Sequence, residues 1–415
     1  MYLPKIAVRN LFRRSGRTLI IAGVLAFAIF FAIILETFMA GMMEMSFSNI
    51  IDFDSAHIQV ARPELFADNE DPLEQLFTPS DEMLKEIQNM PGFAAAASVL
   101  DFSANILAGR EEYPVRVRAA SPDSFAEVFR YQEHLIEGEF LKPGDSGLVI
   151  GINLAEMLEM EVGDFYTLLF RDRRGSLNTI QGEIRGIAAT PEPGMNLGTV
   201  IIDQSFASAA LGVNSTEVNQ LKVRMSDRQT AVAQSGSLEQ ILTGSLGEDI
   251  QVKSWREVSD MLVAMEVWGQ LETYFIVALI LLVGAIGIIN VVVLSSLERV
   301  EEIGMMKAMG LTEGQIVRIF SLEAGGLGVI GGLIGAGLGA AGTYFMVNFG
   351  LDLQMLYGEA TLEMGIPILG TMYGVWKPGS FILFFCLAVL VALLSSIIPA
   401  FWAARKDPID AIYHR

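Results

Sequence analysis

Three histidines (His57, His134 and His414) and one cysteine (Cys386) are all the imidazole and thiol groups in this chain. They stand far apart, without the short His/Cys spacings from which a zinc site is built. There is no H-E-x-x-H run for metal-assisted hydrolysis and no G-x-S-x-G turn to present a nucleophilic serine. No G-x-x-x-x-G-K-[ST] loop is present to cradle nucleotide phosphates. The expectation is a chain with no catalytic residue, metal or cofactor of its own. Patterned chemistry remains in one stretch, where Glu298, Glu301 and Glu302 lead into Ile303, Gly304, Met306, Lys307, Met309 and Gly310. Ile303, Met306 and Met309 recur every three residues and Gly310 stops the run, the pattern of a short amphipathic helix. Methionine adapts to many surfaces, so this helix reads either as a docking site for a partner protein or as a helix lying on lipid headgroups. A second helix should start near Thr312, a suitable N-cap.

The elements around that stretch are apolar. The chain has 415 residues, 52% hydrophobic and 18% charged. No charge occurs between Arg17 and Glu36, Glu272 and Glu298, Glu323 and Asp352, or Lys377 and Arg405, runs of 18 to 28 residues. About 20 apolar residues cross the hydrocarbon core, and one central charge costs about 2.5–3.5 kcal/mol. The runs predict transmembrane helices over 18–40, 272–297, 321–350 and 379–404. Between them lie a cytoplasmic segment 1–17, a large domain 41–271, a loop 298–320, an outward loop 351–378 and a cytoplasmic tail 405–415. Lys5, Arg9, Arg13, Arg14 and Arg17 precede the first run, and Arg299, Lys307 and Arg318 lie in the 298–320 loop. The positive-inside rule puts both termini and that loop in the cytoplasm. A cleaved signal peptide is a poorer reading of the first run, which is longer than the usual apolar region and lacks a small-residue cleavage site. The span interiors hold no charge, which argues against a proton or ion pathway.

Residues 41–271 hold 36 acidic and 16 basic residues, so the net charge of −20 belongs to this domain. Nucleic acid needs a basic footprint and is excluded as a partner. Alternating or β-branched runs predict strands at His57–Val60, Ser98–Leu107, Val115–Ala119, Asp164–Arg171, Thr179–Ile187, Thr199–Asp203 and Gln220–Met225. Helices are expected from Thr78 to near Pro91, over Asn153–Met160 and Ser205–Leu211, and after Asp227. The fold class is an α-helical membrane protein with four transmembrane helices and a large mixed α/β extracytoplasmic domain between helices 1 and 2. Ser254-x-x-Glu257 forms a capping box that opens a helix running on toward the second span, or else a flexible joint. Arg171, Arg173 and Arg174 make a basic turn in an acidic domain, either a docking point for an outward partner or a solvated loop. The third span is glycine-rich. Gly328, Gly332, Gly335 and Gly339 repeat at near-helical spacing, which suits close helix packing within the chain or between copies. No polar side chain is expected on that face, and Cys386 is expected to pack in the fourth span.

The stretch from Glu298 to Gly310 resembles the E-I-G-x-[LM]-[RK]-A-[LM]-G motif of the FtsX/MacB-type ABC transporter permeases. Phe320-Ser321-Leu322-Glu323-Ala324, the glycines after it, and the ending Pro399-Ala400 to Asp407-Pro408-Ile409 with Ala411-Ile412 are similar to that family too. So is the opening Ala7-Val8-Arg9-Asn10-Leu11 with Arg13. The motifs occur in the family's order. The resemblance implies a dimer with a second permease copy or paralogue, and two copies of a separate ABC-type ATPase subunit carrying ATP and Mg. That ATPase would push on a coupling helix at about Glu302–Gly310, and the permease would transmit the motion outward from a bacterial inner membrane to a periplasmic domain. Gly147-Leu148-Val149-Ile150-Gly151 with Leu154, Ala155, Leu158 and Val162-Gly163-Asp164 is similar to the lipoprotein-releasing branch. That branch implies lipoprotein cargo and a periplasmic carrier caught by a hairpin near 170–178. The macrolide-exporter branch implies a drug, peptide or other amphiphile, and the cell-division branch implies regulatory signalling.

Overall fold

The computed structural model describes residues 15–67, 71–108, 111–245, 249–258, 260–298, 300–352 and 371–405. The opening motif and the end of the closing motif, from residue 406 on, lie outside them. The chain divides into two compact units. Met1–Glu44, Glu266–Leu351 and Met372–Arg415 form the first, and Met45–Met265 with Asp352–Thr371 the second.

Four long helices dominate the first unit: Ser15–Ile50, Asp260–Glu298, Glu313–Phe349 and Pro378–Ala404. Each contains a stretch long and apolar enough to cross a membrane. Helices are the form such stretches must take, because hydrocarbon offers no partner for an open N–H or C=O. The separate helix expected near Thr312 is instead the first turns of the third span. Thr312 caps it with a box in which its own N–H donates to Gln315 Oε1 at 2.9 Å, and nothing beyond breaks the ladder.

The glycines of this helix serve two different neighbours within the chain. Gly325, Gly328 and Gly332 meet Leu393, Ala392 and Phe385 of the Pro378–Ala404 helix, while Gly331, Gly335 and Gly339 meet Ala22, Ala26 and Ile33 of the first helix. A Cβ on Gly335 would stand 2.6 Å from the Ala26 carbonyl oxygen, and one on Gly332 would stand 2.7 Å from the Phe385 ring. The backbones can approach this closely only where Cβ is absent, and in lipid that contact area is what holds helices together. Leu25 and Ile29 of the first helix, Val277 and Ile288 of the second, and Ala388 and Ala392 of the fourth fill the remaining space. One turn beyond Gly339, Thr343 hydrogen-bonds Thr37 at 2.9 Å. The glycine face therefore does carry a polar side chain, contrary to the sequence reading, but its hydroxyl is used between two helices. Cys386 is exposed on the fourth helix rather than packed, because the positions facing its neighbours are Phe384, Ala388 and Ala392.

The second unit is a mixed α/β domain on a ten-stranded sheet. Its strands in chain order are β1 Ile58–Ala61, β2 Phe93–Ala108, β3 Glu111–Ala120, β4 Leu135–Gly138, β5 Leu148–Gly151, β6 Phe165–Arg171, β7 Leu177–Ala188, β8 Thr199–Asp203, β9 Gln220–Met225 and β10 Gln251–Ser254. Pairing runs β2–β3–β8–β5–β7–β6 and returns to β2, which closes six strands into a ring. Alternate residues fill it, among them Phe102, Ile106, Val117, Ile150, Leu168, Ile184 and Val200, each at most 2% exposed. Closing the ring removes sheet edges. The first half of β2 turns away to pair β9, which continues through β1 to β10. The helix Asp81–Gln88 is capped by Ser80, whose Oγ accepts from Met83 N, and not by Thr78. Ser80 sits one residue before the first helical position, where a side chain can reach the free N–H groups. Asp227 caps Arg228–Ser245 by accepting from Thr230 N at 2.9 Å, and Glu257 accepts from Ser254 N at 2.9 Å before the short helix Trp255–Val258. The joint expected between that helix and the second span falls on residue 259, outside the described residues.

Buried charge organises the start of this domain. Arg118 on β3 is 1% exposed and faces Asp101 on β2, its direct cross-strand partner, through two bonds of 3.1 and 3.2 Å. Its remaining donors reach the Phe53 and Asp54 carbonyls and the Asp54 carboxylate, 2.8 Å away, and its guanidinium lies 5.5 Å above the Phe129 ring. The segment that follows the first helix is thereby fixed to the sheet. Lys222 on β9 is 3% exposed nearby. Burial, and then the Arg118 charge, holds its ammonium down at about 7 from the ordinary 10.5, against the pull of Asp54 and Asp101.

Replacing Gly335 by leucine should lower the thermal midpoint of the protein, with overpacking costing about 1–3 kcal/mol. Gly337→Ala, where no atom lies within 4 Å of the new Cβ, should not lower it. Both are read by fluorescence melting in detergent. Between pH 7 and 10.5 the unfolded chain holds a proton on Lys222 that the folded chain has released. Lys222 therefore makes stability rise with pH across that window. Lys222→Met should raise the midpoint at pH 7 and flatten the gain from pH 7 to 9, as followed by melts at each pH.

Candidate functional site

The patterned stretch folds as a helix, Val300–Ala308, between the second and third long helices. It ends where Gly310 takes a φ of +91°, the left-handed conformation that glycine adopts without a Cβ clash. Leu311 N then donates back to the Met306 carbonyl at 3.1 Å, which seals the turn. Ile303 is 2% exposed and packs with Ile316 and Phe320 of the third span helix and with Ala400, Ala403 and Ala404 of the fourth. Met306 and Leu311 close around this cluster.

This geometry divides the predicted residues. Ile303 and Met306 belong to an internal cluster, while Met309 stands 73% exposed because it follows the last helical residue and so leaves the three-residue repeat. The three-residue repeat by itself puts all three on one face. The outward face consists instead of Met305, 53% exposed, with Ala308 and Met309. Met305 was missed because the repeat counted from Ile303 passes over it. Gly304 is buried. Lys307 is 14% exposed and reaches Glu313, 3.7 Å away at the start of the third span helix, so its charge bridges two helices of this chain. Glu302 is half-buried, Glu298 ends the second span helix, and Glu301 lies in the first turn of the loop helix. The arrangement presents a small methionine-rich knob on a base tied to the third and fourth helices.

The basic turn is also partly used internally. Residues 172–176 form the β6–β7 hairpin, with Asp172 Oδ1 accepting from the N–H groups of Arg174 and Ser176. Arg171 donates to the Gly175 carbonyl at 3.0 Å, and Arg173 pairs with Glu217 at 3.0 Å. That leaves the exposed Arg174, whose guanidinium has no bonding partner among the described residues. The four glycines Gly328, Gly332, Gly335 and Gly339 lie at the helix contacts already described. Among the described residues no group of three or more His, Cys, Asp or Glu side chains is placed to hold a metal ion.

Residues 274–408 match the model of the FtsX-like permease C-terminal domain, and this segment includes the loop helix and its base. The chain is 27% identical over 267 residues to the macrolide export ATP-binding/permease protein MacB of Rhodospirillum rubrum, covering 64% of this chain and 37% of that protein. It is 22% identical over 339 residues to the lipoprotein-releasing system transmembrane protein LolC of Neisseria meningitidis, covering 80% of each. An uncharacterized ABC transporter permease of Methanocaldococcus jannaschii is 27% identical over 350 residues, 82% of this chain and 80% of that one. Residues 274–408 are thus an FtsX-like permease C-terminal domain, in a chain with four helices long and apolar enough to cross a membrane and similar to the MacB and LolC permeases of ABC transporters.

Proposed function

We propose that this permease is the force-transmitting subunit of an ABC transporter. A separate ATPase, which carries the ATP and Mg, grips the knob formed by Met305, Ala308 and Met309 and moves the loop helix. Ile303 and its cluster carry that movement to the third and fourth helices, and the second span helix carries it toward the α/β domain. The permease works as a pair, with a second copy or paralogue, in a bacterial inner membrane with the α/β domain in the periplasm. The observation behind this reading is the split loop helix, which has one face built into the helix bundle and the other apolar yet exposed.

Lipoprotein release toward a periplasmic carrier is the cargo reading we favour, because the match to LolC runs over 80% of both chains. Export of a drug, peptide or other amphiphile is the second reading, supported by the higher identity to MacB over a shorter stretch.

Replacing Met305 and Met309 together by glutamate should weaken ATPase docking by about tenfold or more, since buried anchor residues carry most of an interface. The thermal midpoint should stay unchanged, because neither side chain is packed. Pull-down of the ATPase and its permease-stimulated hydrolysis measure the effect, and full stimulation in the double variant would remove the loop from the mechanism. Depletion separates the cargoes. Lipoproteins stranded in the inner membrane support release, whereas drug sensitivity with normal lipoprotein sorting supports export.

A further inference from the structure

Acidic residues outnumber basic ones more than two to one over 41–271, yet one concavity in the α/β domain is lined by cations. It encloses about 430 Å³, and its charged lining residues are Arg130, Arg224, Arg228 and a single carboxylate, Asp52. Pockets for small molecules run from about 300 to 1,000 Å³, so this one suits a compact ligand.

Each arginine is held differently. Arg224 donates to Asp52 at 2.8 Å and to the Val128 carbonyl at 2.6 Å, which fixes its plane. Arg228 lies over the rings of Phe47 and Trp255, 5.7 and 5.5 Å from their centres, and those rings pack tilted against each other with centres 5.1 Å apart. Arg130 is 3.9 Å from Asp52 and 54% exposed, at the mouth. The lining thus holds three guanidiniums and one carboxylate, with Asp227 near enough to act on both His57 and Arg228. A separate observation concerns His57, which also lines the cavity. It is 7% exposed, and its Nδ1 has no hydrogen-bond partner among the described residues. Buried polar atoms are rarely left in this condition without a ligand or water to meet them. Burial, and then the Arg224 charge, holds the imidazole down at about 4, so it stays neutral. Forked guanidiniums match phosphate oxygens in pairs, and a phosphate monoester suits a surface on which guanidiniums outnumber carboxylates.

We infer that this pocket, formed by Arg130, Arg224, Arg228 and His57, binds a phosphate monoester, carried either by a soluble molecule or by a lipid headgroup. The inference goes beyond the transport reading and does not depend on it, because binding is measured on the permease alone, without ATPase or nucleotide.

The test is isothermal titration of the full chain, in neutral detergent at low salt, with glycerol 3-phosphate and with dihexanoyl phosphatidate. Saturable binding of either is expected. Arg130→Gln should weaken it about tenfold, as for loss of one charge-assisted pair, and Asp52→Asn should tighten it. Phosphatidate binding about tenfold tighter than glycerol 3-phosphate assigns the group to a lipid, and equal affinities assign it to a soluble ester. No saturable heat with either ligand up to about 10 mM would overturn the inference, as would affinities unchanged in both Arg130→Gln and Arg228→Gln. Arg130 is more than half exposed, so its substitution leaves the fold in place even where Arg228→Gln does not.

Discussion

A single guanidinium holds the α/β domain to its own entrance. Arg118 is buried on a strand of the closed ring and spends its donors on Asp101, on Asp54 and on two backbone carbonyls. Taking such a charge out of water costs several kcal/mol, and only a full set of partners offsets it. The set is complete here because β2 and β3 bring Asp101 opposite Arg118 while the turn after the first helix delivers Asp54. An apolar residue at 118 could pack the strand pair just as well, but it would leave the entering segment without its anchor. The network thus contributes position more than stability.

The membrane unit solves a similar problem without charge. Water drives nothing together inside hydrocarbon, so contact area has to do the work, and the third helix obtains it by removing side chains on two faces at once. Two polar pairs are matched across elements of the unit, Thr37 with Thr343 at 2.9 Å and Glu36 with Lys377 at 3.0 Å. Ile303 and its neighbours extend the same packing onto the loop helix, so that helix is an outgrowth of the bundle.

Much of this was legible in the sequence where a period was long enough to see. Charge-free runs marked the four long helices, and alternation marked β2, β3, β6 and β7 because those strands bury one face. Three strands of four residues, β4, β5 and β10, were missed. Leu148–Gly151 is buried on both sides and so does not alternate, and four residues cannot display a period. The helix at 300–308 was visible but its outward face was not. Its last methionine lies past the final turn, and only tertiary packing decides which apolar residues turn inward. The cationic pocket left no local trace, since Asp52, Arg130 and Arg224 are brought together from three distant segments by the β9–β2 pairing and the turn before β1.

The pairing of β1 carries a consequence for how the domain is made. Its two neighbours are β9 and β10, so Ile58 meets Val223 on one side and Ser254 on the other. Both partners are synthesised long after β1 has emerged. At about 5–20 residues per second, the strand next to the first membrane helix waits on the order of ten seconds or more for its first backbone partner. Throughout that interval its N–H and C=O groups and its apolar face are open to other chains. The domain's birth, rather than its finished fold, is where it is most exposed to misassembly.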